Sequence, residues 1–425
     1  MDCGLFRFCT FAFVLFSISS VHALQGMEEL SKNLFEKNQD VQALQKNIEA
    51  KEAESAAAKS GYFPTVNAVV GFEQNKTDDM PIVEKGQVGY LEGQLNLFKG
   101  GKDQALRGQK NIEIQLAKLE LESKKRDLKL ELTELASQMV YLHKLQSILD
   151  EELKLTLTQK QMASKKVSAG LTSTVDNLEF QLHESEIQIE QRQINQQHEE
   201  AHQQFIKIYG EDIPDSRLGQ LDFSPISIID HLLKTIAPLN VEDTVDFQKS
   251  KLIEEQLESV KKEIKSEFLP SVDFTYSVGR LTPSEVSPLK FNENKLAVHL
   301  TIPLFSGFDT YYKTKAASLS LQAAQHAKNQ RRNDVISYFA KLKIQLFELN
   351  QLFQINEIKL VKSQSYFDMT LSEYRRGIKN SPDLVSATDR LYSTKKKRLE
   401  ILKDLETLKV RVENYYLSSL NKDIK

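Results

Sequence analysis

Two long stretches of this sequence contain neither glycine nor proline, and their absence constrains the fold more than any other feature. The first stretch lies between Gly108 and Gly170, and the second lies between Gly307 and Gly377. Because these two residue types are the strongest helix breakers, each stretch predicts one uninterrupted helix of about 65 to 70 residues. At roughly 1.5 Å per residue such a helix is about 100 Å long, which excludes an ordinary compact globular domain.

The apolar residues of both stretches follow the alternating spacing of four and three that is typical of a coiled coil. In the first stretch they are Leu128, Leu132, Leu135, Met139, Leu142, Leu149 and Leu153, with Gln146 in one position. In the second stretch they are Val335, Phe339, Leu342, Leu346, Leu349 and Phe353. Since the remaining faces are rich in Lys, Glu and Gln, we expect each helix to pack through one apolar stripe.

The two stretches belong to an internal repeat, because matching landmarks are separated by a constant 207 residues. The pairs are Leu97-Phe98-Lys99-Gly100 with Leu304-Phe305-Ser306-Gly307, Gly170 with Gly377, Asp176 with Asp383, and Tyr209 with Tyr416. Each half predicts the same elements: a helix (28–60 and 243–267), two strands, the long helix, a glycine turn and a second helix. We assign 24–209 to the first repeat, 210–242 to a connector and 243–425 to the second repeat.

The predicted strands alternate apolar and polar residues, as the strands of a membrane barrel do. The alternating segments are 65–73, 87–97, 271–278 and 296–302. A half-buried hairpin on a soluble core has the same pattern and remains an alternative. If the strands do lie in lipid, four of them cannot close a barrel, because single-chain barrels begin at about eight strands. An open edge cannot exist in lipid, so the barrel would be shared between two, three or four copies.

The N-terminal residues 1–23 are predicted to be a secretory signal peptide. The apolar run 8–20 precedes Val21-His22-Ala23, which has the small-x-small pattern of a cleavage site. Both cysteines lie inside this segment, so the exported chain carries no thiol. No run reaches the roughly 20 apolar residues of a spanning helix, and a net charge of −3 argues against nucleic acid as a partner.

These features together resemble the TolC-type outer membrane efflux protein family. The resemblance rests on Pro64 and Pro270 before the hairpins, the two Leu-Phe-x-Gly strand ends, and the motifs Gly170-Leu171-x4-Asp176 and Tyr374-x-x-Gly377-x5-Asp383. It implies an α+β membrane protein with a TolC-like channel-tunnel fold. Such a homotrimer has a shared 12-stranded β-barrel, with four strands from each chain, and a long coiled-coil α-helical tunnel. The expected location is the outer membrane, with the tunnel in the periplasm.

The resemblance also implies a function and a set of partners. The chain would be the outer membrane exit duct of a tripartite efflux or type I secretion system, which passively conducts substrates across the periplasm and the outer membrane. Its partners would be a periplasmic adaptor, an inner-membrane transporter of the RND, ABC or MFS type, and outer membrane lipid, without a cofactor. The alternative is a periplasmic or surface coiled-coil scaffold without a pore.

The two glycine turns are the candidate functional sites. The resemblance implies that the adaptor docks at the turn residues, which are Gly170, Leu171, Gly377 and Ile378. It also implies that links among Asp176, Tyr374 and Lys379 close the pore. Lys379 stands where the family has Arg, so a bidentate link is lost and the gate is expected to be weaker. Asp383 falls on the family's inner carboxylate ring, while Ser386 replaces the second acid, so a smaller preference for cations is expected.

One segment matches a catalytic metal motif. His198-Glu199-Glu200-Ala201-His202 has the H-E-x-x-H pattern of zinc proteases. No third ligand is apparent, so the solvated face of a Gln- and Glu-rich helix is the favoured interpretation, and a zinc hydrolase is the minor alternative. Other histidines, such as His143, His183 and His299, are scattered without metal-ligand spacing. We therefore predict neither a metal site nor an enzyme.

Overall fold

The structure is a computed structural model that describes residues 35–76, 83–210, 223, 240–284 and 293–420. The predicted signal peptide and almost all of the predicted connector lie outside these residues. The helices are α1 (Gln39–Ala58), α2 (Lys102–Ser168), α3 (Thr174–Tyr209), α4 (Val245–Ser266), α5 (Asp309–Arg375) and α6 (Ser381–Leu420). The strands are β1 (Thr65–Lys76), β2 (Val83–Lys99), β3 (Ser271–Ser284) and β4 (Glu293–Thr301).

The two long helices are present in the stretches that lack glycine and proline, as the sequence predicts. Helices α2 and α5 each contain 67 residues. Their first residues, Lys102 and Asp309, are 207 positions apart, and so are the first residues of α3 and α6. The spacing found in the sequence is therefore also the spacing of the structural elements.

The chain divides into two compact units. The sheet unit contains the described residues of 43–122 and 245–334, and the helical unit contains those of 35–42, 123–244 and 335–420. In the sheet unit the four strands pair antiparallel in the order β1-β2-β3-β4. The described part of the chain provides no further strand to pair with the outer edges of β1 and β4.

The register of the sheet confirms the predicted alternation. Residues that stand opposite one another in neighbouring strands share a face of the sheet. One face carries apolar rows, which are Val66–Gly93–Tyr276–Leu296 and Leu95–Phe274–Val298. The other face carries polar rows such as Asn67–Glu92–Ser277–Lys295. Ser277 Oγ donates to Glu92 Oε2 at 3.5 Å across the polar face.

The register differs from the sequence prediction at the end of β2. Strict alternation over the predicted segment 87–97 would place Leu97 on the apolar face with Leu91 and Leu95. The pairing shifts between Asn96 and Phe98, so that Phe98 stands opposite Val272. A β-bulge of this kind places two residues of one strand against one residue of its partner, which reverses the alternation beyond it. Phe98 therefore takes the place in the apolar row that the strict alternation assigned to Leu97.

The apolar face of the sheet is open within the chain. Val66 is 71% exposed, Val70 is 85% exposed and Val298 is 59% exposed. Such a continuous apolar surface is unusual for a soluble monomer and marks a contact with lipid or protein. Among the described residues, no helix combines the length and the apolar character needed to cross a membrane.

The helical unit is packed through the predicted coiled-coil positions. On α5, Phe339, Leu342, Leu346 and Phe353 pack against four residues of α6, which are Ile401, Leu405, Leu408 and Val412. On α2, the predicted leucines and Met139 are buried, except for Leu153, which is half-buried. One apolar stripe on each long helix therefore makes contacts within the chain.

Helix α5 differs from the prediction because it carries a second apolar stripe. We expected only polar residues outside the packed stripe. The second stripe consists of Ile344, Phe347, Ile355, Ile358 and Val361, each at least half exposed. These residues lie on the side of α5 that faces away from α6. A helix that is apolar on two opposite sides requires a second partner.

We expect Leu346→Ala to lower the free energy of unfolding by about 2–5 kcal/mol, because it leaves a cavity in a fully buried site of the α5–α6 contact. Chemical denaturation followed by circular dichroism would measure the change. The neighbouring Gln345 is exposed, so Gln345→Ala is the matched control and should leave the midpoint nearly unchanged. Equal effects of the two substitutions would contradict the assigned packing.

Candidate functional site

The two glycine turns have the same backbone hydrogen bonds. At the first turn, the Gly170 N–H donates to the Val167 carbonyl and the Leu171 N–H donates to the Lys166 carbonyl, both at 2.9 Å. At the second turn, the Gly377 N–H donates to Tyr374 at 3.1 Å and the Ile378 N–H donates to Glu373 at 3.0 Å. This pair of bonds is a Schellman motif, which closes the carbonyl end of a helix.

Glycine is required at both turns by the backbone. The φ angle is +69° at Gly170 and +79° at Gly377, in the left-handed region that other residues adopt at a cost. A Cβ atom at either position would meet no atom within 4 Å. The requirement is therefore one of backbone conformation rather than of space.

A short polar side chain caps the N-terminus of the helix that follows each turn. The Ser173 hydroxyl accepts from the Val175 N–H at 3.2 Å and caps α3. The Asn380 side-chain oxygen accepts from the Asp383 N–H at 3.0 Å at the start of α6. Both are N-cap residues, which supply acceptors for the free N–H groups of a first helical turn. Each hairpin is thus fixed at its tip by a Schellman motif and an N-cap.

The tips also present apolar side chains to solvent. Leu171 is 76% exposed, and Ile378, which stands 207 residues later, is 65% exposed. Val175, on the first turn of α3, is 60% exposed. The sequence predicted the first two as docking residues, and the structure leaves all three available within the chain.

Tyr374 is enclosed by residues from all four helices of the two hairpins. The side chain is only 2% exposed, and its ring meets the Phe180 ring edge-on, with centroids 6.1 Å apart. Lys166 places its ammonium 3.9 Å from the centre of the Tyr374 ring and donates a hydrogen bond to the Tyr374 carbonyl. Ser381 Oγ donates to the Tyr374 hydroxyl at 3.4 Å. Tyr374 therefore links α5 to α2, α3 and α6.

The environment of Tyr374 keeps its hydroxyl neutral. Burial raises the pKa of Tyr374, and the nearby Asp176 carboxylate raises it further, while the Ser381 contact lowers it.

The sequence did not predict a role for Lys166 or Phe180 at this site. Lys166 could have been suspected, because it occupies the last turn of α2 beside the glycine.

The other predicted gate residues make contacts close to their own positions in the chain. Asp176 accepts a hydrogen bond from the Thr172 hydroxyl at the start of α3. Lys379 Nζ lies 3.6 Å from Asp383 Oδ2, and both side chains are about 40% exposed. Ser386 is half-buried on α6. Within the described chain, no ion pair joins Asp176 to Lys379, so the predicted link between these two residues is not formed inside one copy.

A second cluster of polar side chains lies in the helical unit, at a histidine without metal-ligand spacing in the sequence. Glu152 of α2, His183 of α3 and Asp389 of α6 each offer an atom within 4.8 Å of the other two. Lys396 of α6 lies 3.0 Å from Glu152 Oε2. Burial raises the pKa of Glu152 and of Asp389.

The H-E-x-x-H segment lies on α3 with its two histidine rings stacked. The His198 and His202 centroids are 6.4 Å apart with an angle of 16° between the planes. The two carboxylates of the motif accept hydrogen bonds from glutamines of the same helix: Glu199 from Gln203 at 3.0 Å and Glu200 from Gln196 at 2.9 Å. The only grouping of three possible metal ligands among the described residues is the one at His183.

The fold is that of bacterial outer membrane channels. The structure aligns with CusC at a TM-score of 0.78 and 12% identity, over 92% of this chain and 91% of that chain. It aligns with the outer membrane protein VceC of Vibrio cholerae at a TM-score of 0.77 and 11% identity, over 92% and 96%. The open state of the Neisseria gonorrhoeae channel MtrE aligns at 0.74 and 15% identity, over 94% and 90%. At such identities the likeness concerns the fold alone.

Family membership follows from the sequence itself. The sequence model of the outer membrane efflux protein family matches residues 30–211 and 246–415. The chain therefore belongs to the outer membrane efflux protein family, as its resemblance predicted. This is a family of transport channels and not a class of enzymes. No curated protein matches the chain in sequence.

We expect Gly377→Ala to destabilise the α5–α6 hairpin by roughly 1–2 kcal/mol, because alanine at a left-handed φ brings its Cβ close to the following carbonyl oxygen. Gly377→Asn should cost less, since asparagine adopts this conformation more readily. Chemical denaturation would give the difference, with the exposed neighbour Ile378→Ala as the control. If Gly377→Ala behaves like Ile378→Ala, the turn does not depend on the backbone conformation of glycine.

Proposed function

We propose that three copies of this chain form the outer membrane exit duct of a tripartite exporter. The sheets would combine into one shared barrel in the outer membrane, and the helices would form a tunnel in the periplasm. The observation that carries the proposal is the four-stranded sheet, which has one exposed apolar face and one polar face. No other described strand pairs with its outer edges.

The open edges of β1 and β4 favour assembly with other copies. A strand edge presents unpaired N–H and C=O groups, and the hydrocarbon core of a membrane offers no water to satisfy them. Pairing β4 of one copy with β1 of the next removes both edges. The apolar rows would then face lipid, and the polar rows around Glu92 and Ser277 would face the lumen.

The second apolar stripe of α5 supports association in the helical unit. Ile344, Ile355 and Ile358 are between 59% and 63% exposed and lie opposite the packed stripe. A neighbouring copy can cover this stripe by coiled-coil packing along the tunnel wall. A scaffold without a pore would also explain the stripe on α5. It would not explain why the sheet exposes its apolar face.

The barrel is tested by placing a charge on each face of the sheet. Val298→Arg should cost about 2–4 kcal/mol if this side chain faces the middle of the bilayer. Thr275→Arg lies on the polar face and should be tolerated. The measurement is the amount of detergent-extracted, heat-modifiable trimer in the outer membrane fraction.

The expected result is loss of trimer in Val298→Arg and a normal level in Thr275→Arg. Equal tolerance of both substitutions, or recovery of a soluble elongated protein, would favour the scaffold. Loss of trimer in both variants would also contradict the assignment of the polar face to a water-filled lumen.

The adaptor is proposed to dock on the hairpin tips. Support comes from the exposed apolar side chains of Leu171, Val175 and Ile378, each held on a rigid turn. The two tips have the same Schellman geometry, so one type of adaptor hairpin can meet both. The inner-membrane transporter would then connect to the duct through this adaptor.

The pore is proposed to close at the same tips, through links between the hairpins. Tyr374 supports this role because its contacts already join α5 to the first hairpin. Closure would bring Lys379 to Asp176, at the expense of its contact with Asp383 at 3.6 Å. An exposed pair of this kind contributes only about 0–1 kcal/mol, so the exchange of partners is energetically easy.

We expect the double variant Tyr374→Phe with Lys379→Ser to raise single-channel conductance and antibiotic entry. The change removes the Tyr374 hydroxyl. It also removes the Lys379 ammonium, which the proposed closing link to Asp176 needs. It also leaves Asp383 without its cationic neighbour, so the preference for cations should increase. Asp383→Ala should have the opposite effect on selectivity and leave conductance similar. Planar-bilayer recordings would measure both quantities.

The matched control for the gate is Lys341→Ser, which removes an exposed lysine of α5 far from the turn. It should change neither conductance nor selectivity. Unchanged conductance in the double variant would remove Tyr374 and Lys379 from the gate. A conductance change in the control of the same size would show a general effect of charge along the tunnel.

A further inference from the structure

The strongest unassigned feature is the buried histidine between α2, α3 and α6. His183 is 4% exposed, and neither of its ring nitrogens has a hydrogen-bond partner. Buried polar side chains are almost always paired, because an unpaired one loses its hydration without compensation. A structural role alone would therefore predict at least one hydrogen bond to this ring.

Carboxylate oxygens surround the ring without forming a hydrogen bond to it, because they are too distant or poorly aligned with its nitrogens. Asp389 Oδ1 lies 3.4 Å and Glu186 Oε2 lies 3.7 Å from Nδ1, while Glu152 Oε1 lies 3.9 Å from Nε2. The ring is thus placed among negatively charged groups without bonding to any of them. Three of the helices of the two hairpins contribute to the arrangement.

We propose that Glu152, His183 and Asp389 bind a divalent transition-metal cation, for which Zn²⁺ is the best candidate. One imidazole and two carboxylates form a ligand set suited to zinc, with water completing a tetrahedron. One atom from each side chain lies within 4.8 Å of the other two. Ligand atoms around a zinc ion are about 3.4 Å apart. Glu152 lies against Nε2 and Asp389 against Nδ1, and one ion binds a single ring nitrogen. Completing the site therefore needs a contraction in which the Asp389 carboxylate swings round the ring to the Nε2 side.

The side chains that would have to move for this contraction are the ones exposed to solvent. Asp389 and Glu186 are 53% and 75% exposed, so they can rotate without disturbing the core. Glu186 is available as a further ligand from the helix that carries His183. Glu152 is fixed, because it is only 3% exposed.

The charge of the cluster favours a cation. The cluster brings together the carboxylates of Glu152, Glu186, Glu190 and Asp389, and among the described residues Lys396 is the cation that pairs with Glu152 and Glu190. Lys396 occupies Glu152 Oε2 at 3.0 Å and leaves Oε1 facing the imidazole. The raised pKa of Glu152 and of Asp389 reflects burial that this one ammonium does not offset. A divalent ion would supply the missing positive charge.

The test is zinc binding by the purified full-length protein in detergent, at neutral pH after removal of bound metal. Isothermal titration calorimetry should give one Zn²⁺ per chain. His183→Gln should abolish this binding, and Asp389→Asn should weaken it by at least about tenfold. The Asp389 side chain is partly exposed, so its variant is expected to fold normally even if a change at the buried Glu152 is not tolerated.

Two histidine variants serve as matched controls. His143→Gln changes a histidine of α2 outside the cluster, and His198→Gln disrupts the H-E-x-x-H motif. Both should bind zinc like the parent protein. Loss of binding in His198→Gln, with full binding in His183→Gln, would overturn the proposal and place the metal at that motif.

Substitution of Lys396 separates a metal site from a simple ion-pair cluster. Lys396→Gln removes the competing ammonium and should tighten zinc binding. If the cluster serves only to pair charges, this variant will bind no zinc and will be less stable.

Replacing Zn²⁺ by Co²⁺ gives a spectroscopic test of the same site. Bound Co²⁺ should show visible d–d absorption in the parent protein and none in His183→Gln. The proposal fails if the parent protein binds no zinc, or if binding is the same in all variants.

Discussion

The proposed assembly follows from the backbone N–H and C=O groups of the outer strands β1 and β4, which need hydrogen-bond partners. The described part of one chain provides four strands, which are too few to close a barrel. Its apolar face is exposed, so the same strands that lack partners also lack a covering layer. A shared barrel satisfies both needs at once. The second apolar stripe of α5 presents the same requirement in the helical unit, where the described chain leaves Ile355 and Ile358 mostly exposed.

The internal repeat explains why the two hairpin tips are alike and why their surroundings differ. The starts of the hairpin helices, the Schellman turns and the N-caps of the first repeat recur 207 residues later in the second repeat. Repeated backbone geometry does not require repeated side chains. Tyr374 occupies the position of Val167, and Glu373 that of Lys166. The second hairpin can therefore place a buried tyrosine against the lysine of the first. The asymmetry between the repeats therefore produces one of the contacts that join the hairpins.

The sequence predicted the features that depend on local rules. Long helices followed from absent breakers, strand faces from alternation, and turns from Gly170 and Gly377. It missed features that depend on how elements meet. The β-bulge before Phe98 reverses an alternation that looked regular, and the apolar residues of the second α5 stripe were masked by the stronger stripe. His183 lacked metal-ligand spacing, because Glu152 and Asp389 are far away in the sequence and approach it only when three helices pack.

The position of the His183 cluster connects the proposed metal site to the proposed gate. His183 and Asp389 lie in the first few turns of α3 and α6, beyond the tips that carry Asp176 and Asp383. A ligand shifts a conformational equilibrium only by its difference in affinity between the two states. Glu152 and His183 belong to one hairpin and Asp389 belongs to the other. If the gate opens by separating the hairpins, a bound metal would lose Asp389 in the open state. The ion would therefore favour closure.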